Sequence, residues 1–326
     1  AFLIAEFASI IFLFPSISET SGIAVAVLIG LFTFAYIRKS GFKASYITDR
    51  FQGVAIIVLL FILFGVWFSE NSYADIINYS KLGGINSFET FSLRSALAVV
   101  LAVTAAEIFS QGYWQRTFSA KNSETIKKAS LIAGFGAFVT ILLLGFAGAV
   151  GAGKGLESPA LSFIEQFELS TALSILLIVL CTLLVASSID TLENAISSTI
   201  SLDILKKGAK EAEYITLGIV ILAIIASTTV TNIFSVFLVA DLFATCLVFP
   251  AFYKLKTKST DLFLLFPFIL SLLCVFIYRY LFVDLANNPG GVFIPTDLYG
   301  LADLNTFLVG FLTSIFITVA YNRISK

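Results

Sequence analysis

Ten apolar runs, most of them near the roughly 20 residues that carry a helix through a bilayer, dominate this chain of 326 residues. They lie at about 1–14, 22–37, 46–69, 92–114, 127–150, 170–200, 213–231, 233–253, 262–283 and 304–322. In hydrocarbon every backbone N–H and C=O must find a partner within the protein, which leaves helices or closed barrels, and continuous runs of this length select helices. The expectation is an all-α integral membrane protein with about ten transmembrane helices. The first run is short, and the chain opens inside it at Ala1 with neither a methionine nor the charged n-region of a signal peptide. It therefore reads as the larger part of a longer protein.

Hydrophobic residues make up 58% of the chain and charged residues 13%, which excludes an ordinary soluble domain. The net charge of -1 lends no support to a nucleic-acid partner. Cys181, Cys246 and Cys274 fall in apolar stretches without CxxC spacing, so they read as small packing residues rather than a disulfide or zinc set. Histidine is absent, which removes the commonest general base and metal ligand, and no nucleophile, base and orienting group assemble. The chain is expected not to be an enzyme and to need no cofactor.

Sidedness follows from charge, because cytoplasmic loops collect Lys and Arg. Alternate connections hold 16 basic residues, among them Arg38, Lys39, Lys43, Arg50, Arg116, Lys121 and Arg323, against 4 in the other set, Lys81, Arg94, Lys154 and Arg279. A miscounted helix would erase that split. It places the C-terminal NRISK in the cytoplasm of a multi-pass cell-membrane protein, sends the turn PSISETSG outward, and requires a tight outer turn near Asn232. Glycines in 134–138 and 143–155 offer close helix contact, and the turn-rich stretch 287–300 is expected to cap the outer face.

Six acids lie within or at the edge of these runs: Glu6, Asp49, Glu107, Asp190, Glu193 and Asp241. None of the runs offers a Lys or Arg at similar depth, and an unpaired carboxylate near the bilayer centre costs a few kcal/mol. Each must be protonated, wetted, or met by a cation from outside; a cation pathway is the economical common answer. In LLVASSIDTLENAISSTISLDIL, 183–205, Ser187, Asp190 or Thr191, Asn194 and Ser198 recur at spacings of three and four, one polar stripe on an apolar helix. Hydroxyls and carboxylates are hard donors suited to a small alkali cation. The plainer reading is that the serines bond back to the preceding turn.

Asp49, in SGFKASYITDRFQGVAII, stands at the cytoplasmic entrance of the third run, either on the ion path or as a helix-start acid helped by the dipole with Arg50 beside it. In AAEIFSQGYWQRTFSAKN, 105–122, Glu107 and Gln111 sit one turn apart where a solute could be gripped; alternatively Glu107 is protonated and bonded to a neighbouring helix.

Together these three stretches resemble the sodium:solute symporter family. Thr48, Asp49 and Gln52 match its "TD..Q"; Gln115, Arg116, Ala120 and Lys121 match its "QR..sAK", with Gln111 four positions before Gln115; Ser187 and Ser188 match its serine pair. Order, spacing and sidedness agree from about residue 20 to 255. The resemblance implies a LeuT-type fold of two inverted five-helix repeats, with solute and sodium bound at mid-membrane beside broken helices. In that register the runs are core helices three to twelve, and the first two are missing. The chain would be one transporter domain, 1–326, with 1–69 the remainder of the first repeat, 92–253 the second, and 262–326 extra C-terminal helices.

By position, Ser187 and Ser188 would give hydroxyls to sodium and Leu184 a backbone carbonyl, with Asp49 near the ion on its way to the cytoplasm. Glu107, Gln111, Asp190, Asn194 and Asp241 are the candidates for the solute and ion path. Because the family's sodium site is completed by its broken first helix, the missing helices are expected to come from the same full-length chain. Ala105, Ala106 and Glu107 stand where sugar-transporting members carry aromatic and amide residues, and QGYWQR is closer to the urea and polyamine branch.

The function implied is sodium-driven uptake of a small polar solute by alternating access, its partners being the solute, the sodium ion and the lipid bilayer. The alternatives are a transporter-like sensor module or a proton-coupled symporter, with Glu107, Asp190 and Asp241 as carriers. Asp190 and Glu193 would line the wet inner vestibule or carry a proton.

Overall fold

The computed structural model describes residues 1–17, 21–156, 171–206, 209–257, 261–283 and 291–324. Among them the chain forms α1 (Phe2–Ile17), α2 (Gly22–Ser40), α3 (Phe42–Glu70), α4 (Tyr73–Leu82), α5 (Thr90–Ile108), α6 (Gln111–Phe118) and α7 (Ser123–Gly153). Then follow α8 (Thr171–Ser198) with a π-helical extension Thr199–Leu205, α9 (Ala209–Ser227), α10 (Ile233–Thr257), α11 (Asp261–Phe282) and α12 (Leu304–Ile324). Each of the ten apolar runs falls on a helix. Among the described residues eight helices are long and apolar enough to cross a membrane; α1 is shorter, and α9 opens with the charges of Lys210, Glu211 and Glu213.

Local chemistry sets the boundaries. Ser72 and Asn122 cap α4 and α7, accepting from the backbone N–H of Asp75 at 3.2 Å and Thr125 at 2.8 Å. Asn232 accepts from the N–H of Ser235 at 3.1 Å, so the break expected there is present, held by a capping side chain. Between α2 and α3 the chain turns on Gly41, whose φ of 53° favours a residue without a Cβ.

The structure adds two helices that no apolar run announced. YADIINYSKL, too short and polar for a span, is α4. The run 92–114 is broken at Phe109–Ser110, so QGYWQRTF becomes the separate helix α6.

Two compact units make up the chain: one comprises 6–87 and 114–228, the other 1–5, 88–113 and 229–326. The first is built on α3, α4, α7 and α8, around Leu63, Trp67, Leu177 and Leu180. Within it Gly83 and Gly153 allow α4 and α7 to touch backbone to backbone: a methyl at either would strike a carbonyl of the other helix. Gly134, Gly136 and Gly145 do not serve that purpose here, since a Cβ on them would meet nothing within 4 Å. The second unit packs α5, α10, α11 and α12 around Leu242, Cys246, Val275 and Phe307. Cys181 and Cys246 are free thiols in these two cores, as expected of apolar packing residues, and Cys274 is a free thiol at intermediate depth.

Of the stretch expected to cap the outer face, residues 287–290 lie outside the described residues, while 291–306 fold back onto α11. There Arg279 is fully buried; it donates to the carbonyls of Gly291 and Thr296, to Thr306 Oγ1 at 2.6 Å and to Asp303 at 3.3 Å. Lys207, Lys258 and Lys326, counted in the charge pattern, lie outside the described residues.

Candidate functional site

Three helices of the first unit each turn a pair of polar residues, three positions apart, toward a common centre: Thr33 and Tyr36 on α2, Ser45 and Thr48 on α3, Asp190 and Glu193 on α8. That spacing places both members of a pair on one helix face. Asp190, 0% exposed, accepts from Tyr36 Oη at 2.6 Å, Ser45 Oγ at 2.9 Å and Thr48 Oγ1 at 2.9 Å. A carboxylate with no cationic partner among the described residues is thus held by three hydroxyls from two other helices. Glu193, also 0% exposed, meets Thr33 Oγ1 through Oε1 at 3.1 Å. Both acids are closed away from water here, so they do not line a wet vestibule.

Asp49 makes an ion pair with Arg116 of α6 and accepts from Ser187 Oγ at 3.0 Å. Arg116 also donates to Thr191 Oγ1 at 3.0 Å, so one guanidinium ties α3, α6 and α8 together. Three expectations change. Asp49 is not a helix-start acid, because α3 begins at Phe42 and has no acid in its first turn. Its cationic partner is Arg116, not the adjacent Arg50. And an Arg does stand at the depth of this acid, because α6 is a helix that carries it there rather than a loop.

The rest of the stripe continues the pattern. Asn194 Nδ2 donates to Gln115 Oε1 at 2.6 Å, and Gln115 Nε2 donates to Ser198 Oγ at 2.8 Å. Ser187 and Ser188 diverge, as neighbours on a helix must. Ser187 faces Asp49; Ser188 lies 3.5 Å from the Leu184 carbonyl, the back-bond of the plainer reading, and meets Glu6 of α1.

Glu107, Gln111 and Asp241 belong to the second unit. Glu107 lies at the end of α5 beside the break at Phe109–Ser110; its carboxyl meets Tyr113 and is within electrostatic reach of Asp241 of α10. Among the described residues neither carboxylate has a Lys or Arg ion partner. Packed beside them are Ala105 and Ala106, with Ala244 and Val248 of α10. The structure therefore sorts the candidates between the two units: Asp49, Ser187, Asp190 and Asn194 in the first, and Glu107 and Asp241, with Gln111 on the same unit, in the second.

Sequence reasoning missed Thr33, Tyr36 and Ser45 as partners of the acids. Thr48, Gln115 and Arg116 stood in the matched motifs without a stated role. The available signal was the i, i+3 pairing of hydroxyls, but a Thr or Tyr in an apolar run is unremarkable until an acid is known to face it.

A curated relative, the spermidine transporter DUR31 of Candida albicans, is 25% identical over 269 residues. The match covers 78% of this chain and 50% of the relative, so the chain spans about half the length of the relative. No family model matches. With the apolar helices described above, this similarity marks a multi-pass membrane protein. The relative is a transporter, which bears out the reading of the chain as a non-enzyme.

Proposed function

We propose that this chain carries part of the ion and solute path of a secondary active transporter of the sodium:solute symporter kind, with a LeuT-type fold. Inward sodium movement would drive uptake of a small organic solute bearing ammonium groups. The observation that carries this reading is the polar ladder of α2, α3 and α8, buried in helices of membrane length within a chain similar to a spermidine transporter. The excess of Lys and Arg on one side supports placing the α2–α3 turn, the α6–α7 connection and the C-terminus in the cytoplasm.

In this reading sodium is a substrate, bound by hard oxygens. Ser188 Oγ and the Leu184 carbonyl lie 3.5 Å apart on α8, and a cation binding there would replace the back-bond between them. Ser187, which faces Asp49 instead, would take up the ion as it passes that carboxylate. Exit toward the cytoplasm past Asp49 then requires Arg116 to let go of that carboxylate, so the ion pair acts as an inner latch. For the solute, Glu107 and Asp241 offer two neighbouring carboxylates without cationic partners among the described residues, beside a helix break. Two ammonium groups of a polyamine complement two such acids.

The test is uptake of labelled spermidine by the full-length protein in vesicles, with and without an inward sodium gradient. The expected result is gradient-driven uptake whose KM rises about tenfold in Glu107→Gln and in Asp241→Asn, about 1.4 kcal/mol of binding each. Gradient-independent uptake, or KM values untouched by both substitutions, would overturn the reading.

A further inference from the structure

Glu193 is one of the acids that the proposed transport cycle leaves unused, and its hydrogen bonds do not balance as an anion. Thr33 Oγ1 has one hydrogen, yet it lies within bonding distance of the Ile29 carbonyl at 2.9 Å, the Gly30 carbonyl at 3.1 Å and Glu193 Oε1 at 3.1 Å. If Glu193 is ionised, that hydrogen must leave its own helix, and Glu193 Oε2, a buried oxygen sharing the charge, still has no donor. If Glu193 carries a proton on Oε1, it donates to Thr33 Oγ1, which keeps its bond to Ile29. The chain of bonds then closes, and the oxygen left over is a neutral carbonyl, the cheaper of the two to leave unpaired.

Asp190, one turn away on the same face, shows the opposite pattern, with hydroxyl donors for both of its oxygens. Of the other charged groups on the elements packed against α8, Arg38 of α2 pairs with Glu213 of α9 and Asp49 of α3 with Arg116, while Lys39, Lys43, Arg50, Glu70, Asp203 and Glu211 are exposed. The titratable groups that face Glu193 are therefore Asp190 on its own helix and Tyr36 on α2.

The geometry points to Glu193 as a buried proton-binding site: a neutral carboxylic acid that donates to Thr33 and so fastens α8 to α2. The ligand is a proton. It leaves when the two helices part and water reaches the carboxyl: the Oε1–H bond breaks, the proton passes to water, and the carboxylate that remains is solvated. The helices cannot close again over Glu193 until the proton returns. This inference needs neither sodium nor a solute, so it stands or falls separately from the transport reading.

Infrared spectra of the full-length protein in lipid, without sodium or spermidine, test it at a pH where exposed carboxyls are ionised. Expected is a protonated-carboxyl C=O band that is lost in Glu193→Gln. In Thr33→Val, which keeps the acid and removes its acceptor, the band should move to higher frequency. If Glu193→Gln removes carboxylate absorption and leaves the acid region unchanged, the site is ionised and the inference is wrong. A band lost in Glu193→Gln but unmoved in Thr33→Val would refute the bond to Thr33 and with it the fastening of α8 to α2.

Discussion

Asp190 and Arg279 are both fully buried and both surrounded by polar groups, yet they draw their partners from very different distances along the chain. Tyr36, Ser45 and Thr48 lie 154, 145 and 142 residues from Asp190, on two other helices. The partners of Arg279 are 12 to 27 residues away, in the connection that follows its own helix and the first turn of the next. Arg279 is a local staple that holds a loop to a helix end. Asp190 joins helices that are remote in sequence, with bonds that must break if α2 or α3 moves against α8. One centre serves stability, the other is placed to respond to motion.

Substitutions can break this contrast. The largest loss of stability should come from Arg279→Met, which strips Asp303 and two carbonyls of a buried cation. We expect a cost of about 3–5 kcal/mol, seen as a lower unfolding midpoint in detergent. Asp190→Asn should reverse the order of effects, with uptake falling at least about tenfold and the midpoint falling less than in Arg279→Met. An Asp190→Asn protein that unfolds early but transports normally would make Asp190 a staple as well.

Smaller steps sharpen the picture. Tyr36→Phe and Ser45→Ala each remove one hydroxyl from a charged acceptor and should cost about 1.5–3 kcal/mol in unfolding measurements. Because both bond the same carboxylate, the double mutant should differ from the sum of the singles; strict additivity would mean that the two bonds do not share Asp190. Arg116→Gln should cost least, about 1 kcal/mol or less. Its guanidinium side chain is 31% exposed, and the loss should shrink further in high salt.

The helices were legible because an apolar run of spanning length has few other fates. The exceptions follow the same logic: α4 is too polar to stand out, and the break at Phe109–Ser110 has neither Pro nor Gly at it, the nearby Gly112 lying inside α6. In the site, Asp49, Asp190 and Glu193 were legible because acids in apolar sequence are costly. Tyr36 and Thr33 were not, because only the fold brings α2 to α8. Arg116 was misplaced for a related reason. A basic residue after an aromatic pair reads as a loop at the membrane edge, whereas here it lies on a short helix that returns it to Asp49. The two serines looked like one site in sequence, but a helix turns adjacent residues about 100° apart, and Ser187 and Ser188 meet different acids.

Sodium coupling through the serine pair is the central claim, and the sodium activation curve of spermidine uptake by the full-length protein measures it most directly. Ser187→Ala and Ser188→Ala should each raise the sodium concentration for half-maximal uptake severalfold, while uptake at saturating sodium persists. Uptake that is indifferent to replacing sodium, with curves unchanged in both variants, would contradict it.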